Sequence, residues 1–86
     1  MAKVKQIYQV AEKSSFDIGH SVPYTLAVAK TKELALEYIE NQIWRHTNDI
    51  ADLWDLIEDN GWMVRLQRRK DGEVITLYVE RIMLLE

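Results

Sequence analysis

The segment 16–24, with the sequence FDIGHSVPY, contains the side-chain types that hydrolases use for nucleophilic catalysis: Asp17, His20 and Ser21. A working triad needs serine, histidine and carboxylate in a fixed geometry, next to donors for the oxyanion. Neighbouring residues on one loop seldom reach that geometry, and the chain contains no Gly-x-Ser-x-Gly sequence of a nucleophile elbow. We therefore predict no catalytic residues, and we expect a protein that is not an enzyme.

Metal and cofactor binding are not expected either. The chain has no cysteine and only two histidines, His20 and His46, whose spacing matches no zinc motif. His46 falls on the apolar side of a predicted helix, where a histidine is more often a hydrogen-bonded core or interface residue than a ligand. The sequence thus predicts no metal site and no cofactor.

A cluster of basic residues between positions 65 and 70 is one candidate binding surface. No acid interrupts it, and Tyr78 is expected across a hairpin from Arg65. A guanidinium beside an aromatic ring on a flat sheet can bind phosphate and stack a base. The same pair also occurs as a stabilising contact on a solvated face. Nucleic-acid binding is therefore the alternative function, through Arg65, Arg68, Arg69, Lys70 and Tyr78.

Acidic residues dominate the segment 31–60, which holds eight Asp or Glu residues against Lys32 and Arg45. On a helical projection many of these acids cluster away from the apolar stripe, together with Trp44. Such a face is either simply solvated or presented to a basic partner. An exposed Trp among carboxylates has the composition of an interface hot spot. The predicted partner-binding residues are Glu33, Glu37, Glu40, Trp44, Asp55 and Glu58.

The elements that must position these surfaces follow from the hydrophobic pattern. The segments 4–12 and 25–30 are predicted strands, joined by a loop over 13–24. Thr31 suits the N-cap of a helix. Either one long helix then runs over 32–59 or two helices meet at Asn48, which would cap the second, and Gly61 ends the helical region. The apolar stripe comprises Ala35, Leu36, Ile39, Ile43, His46, Ile50, Leu53, Trp54 and Ile57.

The segments 62–70 and 73–85 are predicted strands, and Asp71-Gly72 between them is a strong signal for a two-residue hairpin turn. Such a turn pairs Leu66 with Leu77. It also pairs Val64 with Val79 and Trp62 with Arg81. A slip by one residue would exchange the two faces of the hairpin, so the pattern of side chains determines which face packs on the helix. The predicted core face carries Trp62, Val64, Leu66, Ile75, Leu77 and Val79.

The last predicted strand stops alternating after Glu80. Residues 82–85, with the sequence IMLL, place apolar side chains on both faces of the strand. A two-layer domain has no second layer to cover the outer face. We therefore expect a homodimer whose interface includes Ile82 and Leu84.

Together these elements predict a single α+β domain over residues 1–86. It is a two-layer sandwich in which an antiparallel sheet of three or four strands packs on one long or two short helices. With 48% hydrophobic and 29% charged residues, the chain has the composition of a globular protein. No apolar stretch reaches the ~18 residues of a membrane span. The absence of cysteine favours a cytoplasmic protein.

The layout resembles that of small accessory proteins encoded by bacteriophages and mobile elements. It has an opening strand, a helix of the type TKELALEYIENQI and a closing hairpin that ends in YVERIMLLE. Anti-CRISPR inhibitors are among the proteins of this kind. The resemblance assigns no functional residues, but it implies a small inhibitor or regulator that binds a host protein. This is the function we expect first.

Overall fold

The computed structural model describes residues 4–15 and 24–85, which form five strands and one helix. All strand pairs are antiparallel, and the sheet order is β2-β1-β5-β4-β3. The α+β class is confirmed. The sheet has five strands, whereas three or four were expected. The elements are β1 (Val4–Ser14), β2 (Tyr24–Ala29), α1 (Lys32–Thr47), β3 (Trp54–Asp59), β4 (Met63–Arg68) and β5 (Val74–Leu85).

Helix α1 begins as predicted, because the Thr31 hydroxyl accepts a hydrogen bond from the Leu34 N–H at 3.2 Å. It ends at Asn48, which would have been the N-cap of the second helix in the two-helix alternative. The Asn48 side-chain amide and backbone N–H both donate to the Trp44 carbonyl, at 2.8 and 3.0 Å. These two bonds satisfy a carbonyl of the last turn, so Asn48 terminates the helix.

The second half of the predicted helical region is an edge strand, so the helix over 32–59 is wrong beyond Thr47. Trp54 is buried and pairs with Arg68 of β4, while Asp55 points to the other face. A short segment that mixes apolar and acidic residues, as NDIADLWDLIED does, can fit both the helical and the strand period. Gly61 does adopt a left-handed φ of 90°, but it turns the chain from β3 into β4 rather than ending a helix.

The β4–β5 hairpin is confirmed, but its register differs from the predicted one by two residues. Leu66 pairs with Ile75 and Val64 with Leu77, so four residues rather than two form the loop. Gly72 lies in this loop with a φ of 80°. Because a shift of two residues preserves the alternation of side chains, the predicted core face is still the one that packs on α1.

Only one face of the sheet is covered by α1, and the core lies between these two layers. Trp62 was expected in it, but 40% of its surface is exposed. Its ring packs beside Tyr8, with centroids 6.4 Å apart, and the Lys32 ammonium lies 4.1 Å above it. The buried core consists of Val10, Ala35, Ile39, Trp54, Val64, Leu66, Ile75, Leu77 and Val79.

The two central strands, β1 and β5, extend beyond their neighbours. They pair along their whole length, from Ser14 opposite Ile75 to Val4 opposite Leu85. On the β1 side, pairing with β2 stops at Tyr8. On the β5 side, the last contact with the β4 hairpin is the hydrogen bond from the Val79 N–H to the Trp62 carbonyl. Residues 4–7 and 80–85 therefore form a two-stranded arm.

Candidate protein-binding surface

Four predicted partner-binding residues lie together on the outer side of α1. Glu33, Glu37, Glu40 and Trp44 are separated by four, three and four positions, which aligns them along one side of a helix. All four are exposed, and 67% of the Trp44 surface is accessible. The buried helix residues Ala35 and Ile39 face the sheet. We call this row of three glutamates and Trp44 the acidic stripe.

The carboxylates of the acidic stripe are not neutralised within the described part of the chain. No Lys, Arg or His in residues 4–15 and 24–85 forms an ion pair with Glu33, Glu37 or Glu40. A shallow recess of about 340 Å³ lies beside Trp44, lined by Tyr38, Asn41, Gln42, Trp44 and Arg45. An exposed indole, a recess and a row of unpaired charges therefore occupy adjacent parts of the helix surface.

Asp55 and Glu58 do not belong to this surface, contrary to the sequence prediction. Both lie on β3, opposite Gln67 and Arg65, on the face of the sheet away from α1. The Glu58 carboxylate lies 3.1 Å from the Arg65 guanidinium. The helical projection grouped them with the stripe only because it continued the helix through a strand.

The basic cluster is largely neutralised by the same acids. Arg69 donates three hydrogen bonds to Asp55, at 2.9 to 3.1 Å. These bonds, together with the charge of Arg69, hold the pKa of Asp55 below its ordinary value, although partial desolvation opposes the shift. The same bonds raise the pKa of Arg69. Of the four predicted basic residues, Lys70 is the one without an ion pair to the described residues.

Arg68 does not share a surface with the other basic residues, because its side chain lies on the inner face of the sheet. Its guanidinium carbon is 4.7 Å from the centroid of the Trp54 ring. Its nitrogens also pair with three carboxylates, at 3.5, 3.3 and 2.9 Å, so that no positive charge is available to an outside ligand. The three carboxylates are those of Asp52, Asp71 and Glu73.

Tyr78 is not across from Arg65 as predicted, since the register places it opposite Met63 and places Arg65 opposite Thr76. It is half-buried on the outer face of the sheet. Burial, and next the negative charge of Glu80, raise the pKa of the Tyr78 phenol. A phenol packed in this way offers little free ring surface for stacking on a base.

A cleft of about 480 Å³ between the end of α1 and the sheet was not foreseen from the sequence. His46 lies in its wall, with its ring edge-on to Trp54 at a centroid distance of 5.4 Å, and its Nδ1 is 2.7 Å from the Gln42 carbonyl oxygen. This contact agrees with the expected hydrogen-bonded, structural role of His46. Trp54 and Arg68 line the cleft and pair with each other across β3 and β4. The sequence could therefore have indicated the cleft only if residues 54–59 had been recognised as a strand.

Other predicted features lie partly outside the described residues. Asp17, His20 and Ser21 fall in segment 16–23, which is not described. Among residues 4–15 and 24–85, no group of three or more His, Asp or Glu side chains could hold a metal ion. Helix α1, the one helix among the described residues, is not long and apolar enough to cross a membrane.

No protein-family model matches the chain, and comparisons with curated proteins and with solved structures gave no significant match.

Proposed function

We propose that this chain is a non-enzymatic protein-binding module that docks a basic partner through the acidic stripe. The observation that carries the proposal is the exposed Trp44 at the end of a row of three glutamates that form no ion pair with residues 4–15 or 24–85. The phage-protein resemblance adds the proposal that the partner is a host protein which the chain inhibits or regulates.

The physical argument depends on which charges are still available for binding. Asp52, Asp55, Glu58, Asp71 and Glu73 are all engaged by arginines of the same chain. The carboxylates of the acidic stripe are not, so a basic surface can approach them without breaking an internal ion pair. Charge complementarity of this kind speeds association and selects the partner, while a Trp buried at the centre of a contact contributes much of the affinity.

Nucleic-acid binding through the basic cluster is less well supported. Arg65 and Arg69 would have to release Glu58 and Asp55 before contacting phosphate, and those carboxylates would repel the phosphate as well. Arg68 lies on the inner face. Nucleic-acid binding through these residues is therefore a result that would contradict the proposal.

The test compares partner capture by stripe variants with capture by matched variants elsewhere. Tagged wild-type protein is used to isolate a partner from a bacterial lysate, and the partner is then titrated against purified variants. Trp44→Ala and the triple change Glu33→Gln, Glu37→Gln and Glu40→Gln should each weaken binding by about tenfold or more, as truncation of a hot spot usually does. Higher salt should weaken wild-type binding too.

The controls remove similar groups from other surfaces. Asp55→Asn with Glu58→Gln removes two acids from the far face of the sheet, and Ile50→Ala removes an apolar side chain that is 92% exposed. Both should bind like wild type. Equal loss in the control and stripe variants would contradict the proposal. So would binding of single- or double-stranded nucleic acid that is lost in Arg65→Ala with Arg69→Ala and retained in Trp44→Ala.

A further inference from the structure

Beyond Val79, the edge of β5 on the β4 side carries backbone groups that pair with no strand in the described part of the chain. The Val79 N–H points toward the β4 side, where it donates to the Trp62 carbonyl at 2.9 Å. Backbone groups alternate in direction along a strand, so the N–H and C=O groups of Arg81 and Met83 point to the same side as those of Val79. No strand among the described residues reaches them there. The backbone groups of Ile82 and Leu84 instead point toward β1, where these two residues lie opposite Ile7 and Lys5.

The other free edges of the sheet are protected against pairing with another strand. Strand β3 carries Asp55, Glu58 and Asp59 and is interrupted by a bulge between Leu56 and Glu58. Strand β2 has a bulge opposite Val10 and Ala11. Bulges and charges of this kind are the usual means by which proteins block edge-to-edge association. In the arm, β1 carries Lys5, whereas β5 presents Ile82, Met83 and Leu84 without a bulge.

We propose that this edge of β5 pairs with the same edge of a second copy of the chain, antiparallel and around a two-fold axis at Met83. A two-fold axis perpendicular to the sheet keeps each side chain on its own face of the sheet. Side chains on one face are an even number of positions apart, so the axis must lie between two copies of the same residue. An axis at Arg81 would oppose two arginines. An axis at Ile82 would place residue 85 of the second copy opposite Val79, whose N–H already bonds to Trp62.

The axis at Met83 avoids both conflicts and makes the apolar residues self-complementary. Ile82 then lies opposite Leu84 of the second copy on the outer face, and the two Met83 side chains meet on the inner face. Met83 is 60% exposed and Leu84 is 44% exposed, so pairing would bury apolar surface that is now in water. Each Met83 would exchange both of its backbone hydrogen bonds with its counterpart.

A cysteine cross-link tests the position of the axis, because the chain contains no cysteine of its own. Directly opposed residues of a hydrogen-bonded antiparallel pair have Cα atoms about 5.5 Å apart, within disulfide range, whereas diagonal neighbours are about 7–8 Å apart. We expect Met83→Cys to form a covalent dimer in air, and Ile82→Cys to stay largely reduced. Cross-linking of Ile82→Cys in preference to Met83→Cys would overturn this register.

The association itself is tested without cysteine. Sedimentation of the wild-type chain should give a dimer, twice the chain mass of 10.2 kDa, at high concentration. Met83→Lys places two like charges on the axis and should be monomeric with an unchanged circular-dichroism spectrum. Val28→Lys, which alters an exposed apolar residue of β2, should remain a dimer. Hydrogen exchange at the Arg81 and Met83 amides should slow as wild-type concentration rises. A wild-type monomer at all concentrations, or a dimeric Met83→Lys, would overturn the proposal.

Discussion

The Arg69 side chain donates to both carboxylate oxygens of Asp55, at 2.9 to 3.1 Å, and so ties the β4–β5 loop to the outer face of edge strand β3. This contact removes one member from each of the two charged surfaces that the sequence indicates. The acid is no longer available to a basic partner, and the guanidinium is no longer available to phosphate. The unpaired acids of α1 therefore become the stronger candidate for binding.

The pair should make stability depend on pH at the acidic end. Because Arg69 holds the pKa of folded Asp55 below its unfolded value of about 3.9, the pair stabilises the fold above that value and loses this effect as pH falls through the folded pKa. We expect wild type to exceed Asp55→Asn in unfolding free energy at pH 7, and the difference to shrink in strong acid. Urea unfolding at several pH values measures it. Glu37→Gln is the control for the loss of a carboxylate, since that acid has no ion pair within the described residues.

Tyr78 should ionise later than an ordinary tyrosine. Burial and Glu80 raise its pKa, so the protonated phenol stabilises the fold below an unfolded value of about 10, and this contribution is lost as pH rises through the folded pKa. The difference between the ultraviolet titrations of wild type and Tyr78→Phe isolates this phenol. Its midpoint should lie above that of free tyrosine. A midpoint at or below the free value would contradict the burial of Tyr78 on the outer face.

Ile39 and Ile50 test where the helix ends. Ile39 is 4% exposed and Ile50 is 92% exposed, although a helix continued over 32–59 would bury both. Ile39→Ala should cost about 2–5 kcal/mol of unfolding free energy through lost burial and a cavity. Ile50→Ala should change it by less than about 0.5 kcal/mol. Urea denaturation of the two variants decides the matter, and comparable losses would show that the helix continues past Thr47.

Gly72 and Lys70 test the β4–β5 loop. Gly72 has a φ of 80°, and a Cβ atom added there would meet Gln67 Nε2 at 3.9 Å, an ordinary van der Waals contact. The cost of Gly72→Ala is therefore backbone strain, about 1–2 kcal/mol for a residue in the left-handed region, and a β-branched residue costs more. Gly72→Val should lower the melting temperature by several degrees, with Gly72→Ala between it and wild type. Lys70→Ala should leave it unchanged, and equal melting temperatures for Gly72→Val and Lys70→Ala would contradict this loop geometry.

The parts of the fold that could be predicted are those with one unambiguous period. Alternation identifies the core face of β4 and β5, including Leu66 and Leu77, whatever the exact turn length. The buried positions Ala35 and Ile39 follow from helical spacing. Between Asn48 and Asn60 the period is ambiguous. The signal that could resolve it is Gly61, because a glycine with positive φ at the first central position is typical of a two-residue hairpin turn.

The charge pattern could not be predicted, because it depends on which strands are neighbours. Asp55 and Arg69 are fourteen positions apart, and they meet only because β3 pairs with β4. If β3 is interpreted as a helix, Asp55 and Glu58 are predicted on the helix surface. Arg65 and Arg69 are then predicted on the sheet without their acidic partners. The error in secondary structure thus produced both the enlarged acidic face and the uncompensated basic cluster.

The central pairing of β1 with β5 also determines the order in which the chain can fold during synthesis. The paired residues are separated by roughly 60–80 positions, so their contact carries a high loop-closure cost and should form late. Strand β1 lies between β2 and β5. Until β5 has left the ribosome, the edge of β1 that will pair with β5 has unpaired backbone groups, which could bind strands of other chains. A nascent chain should therefore be most prone to pairing with other chains at this edge of β1 until β5 is made.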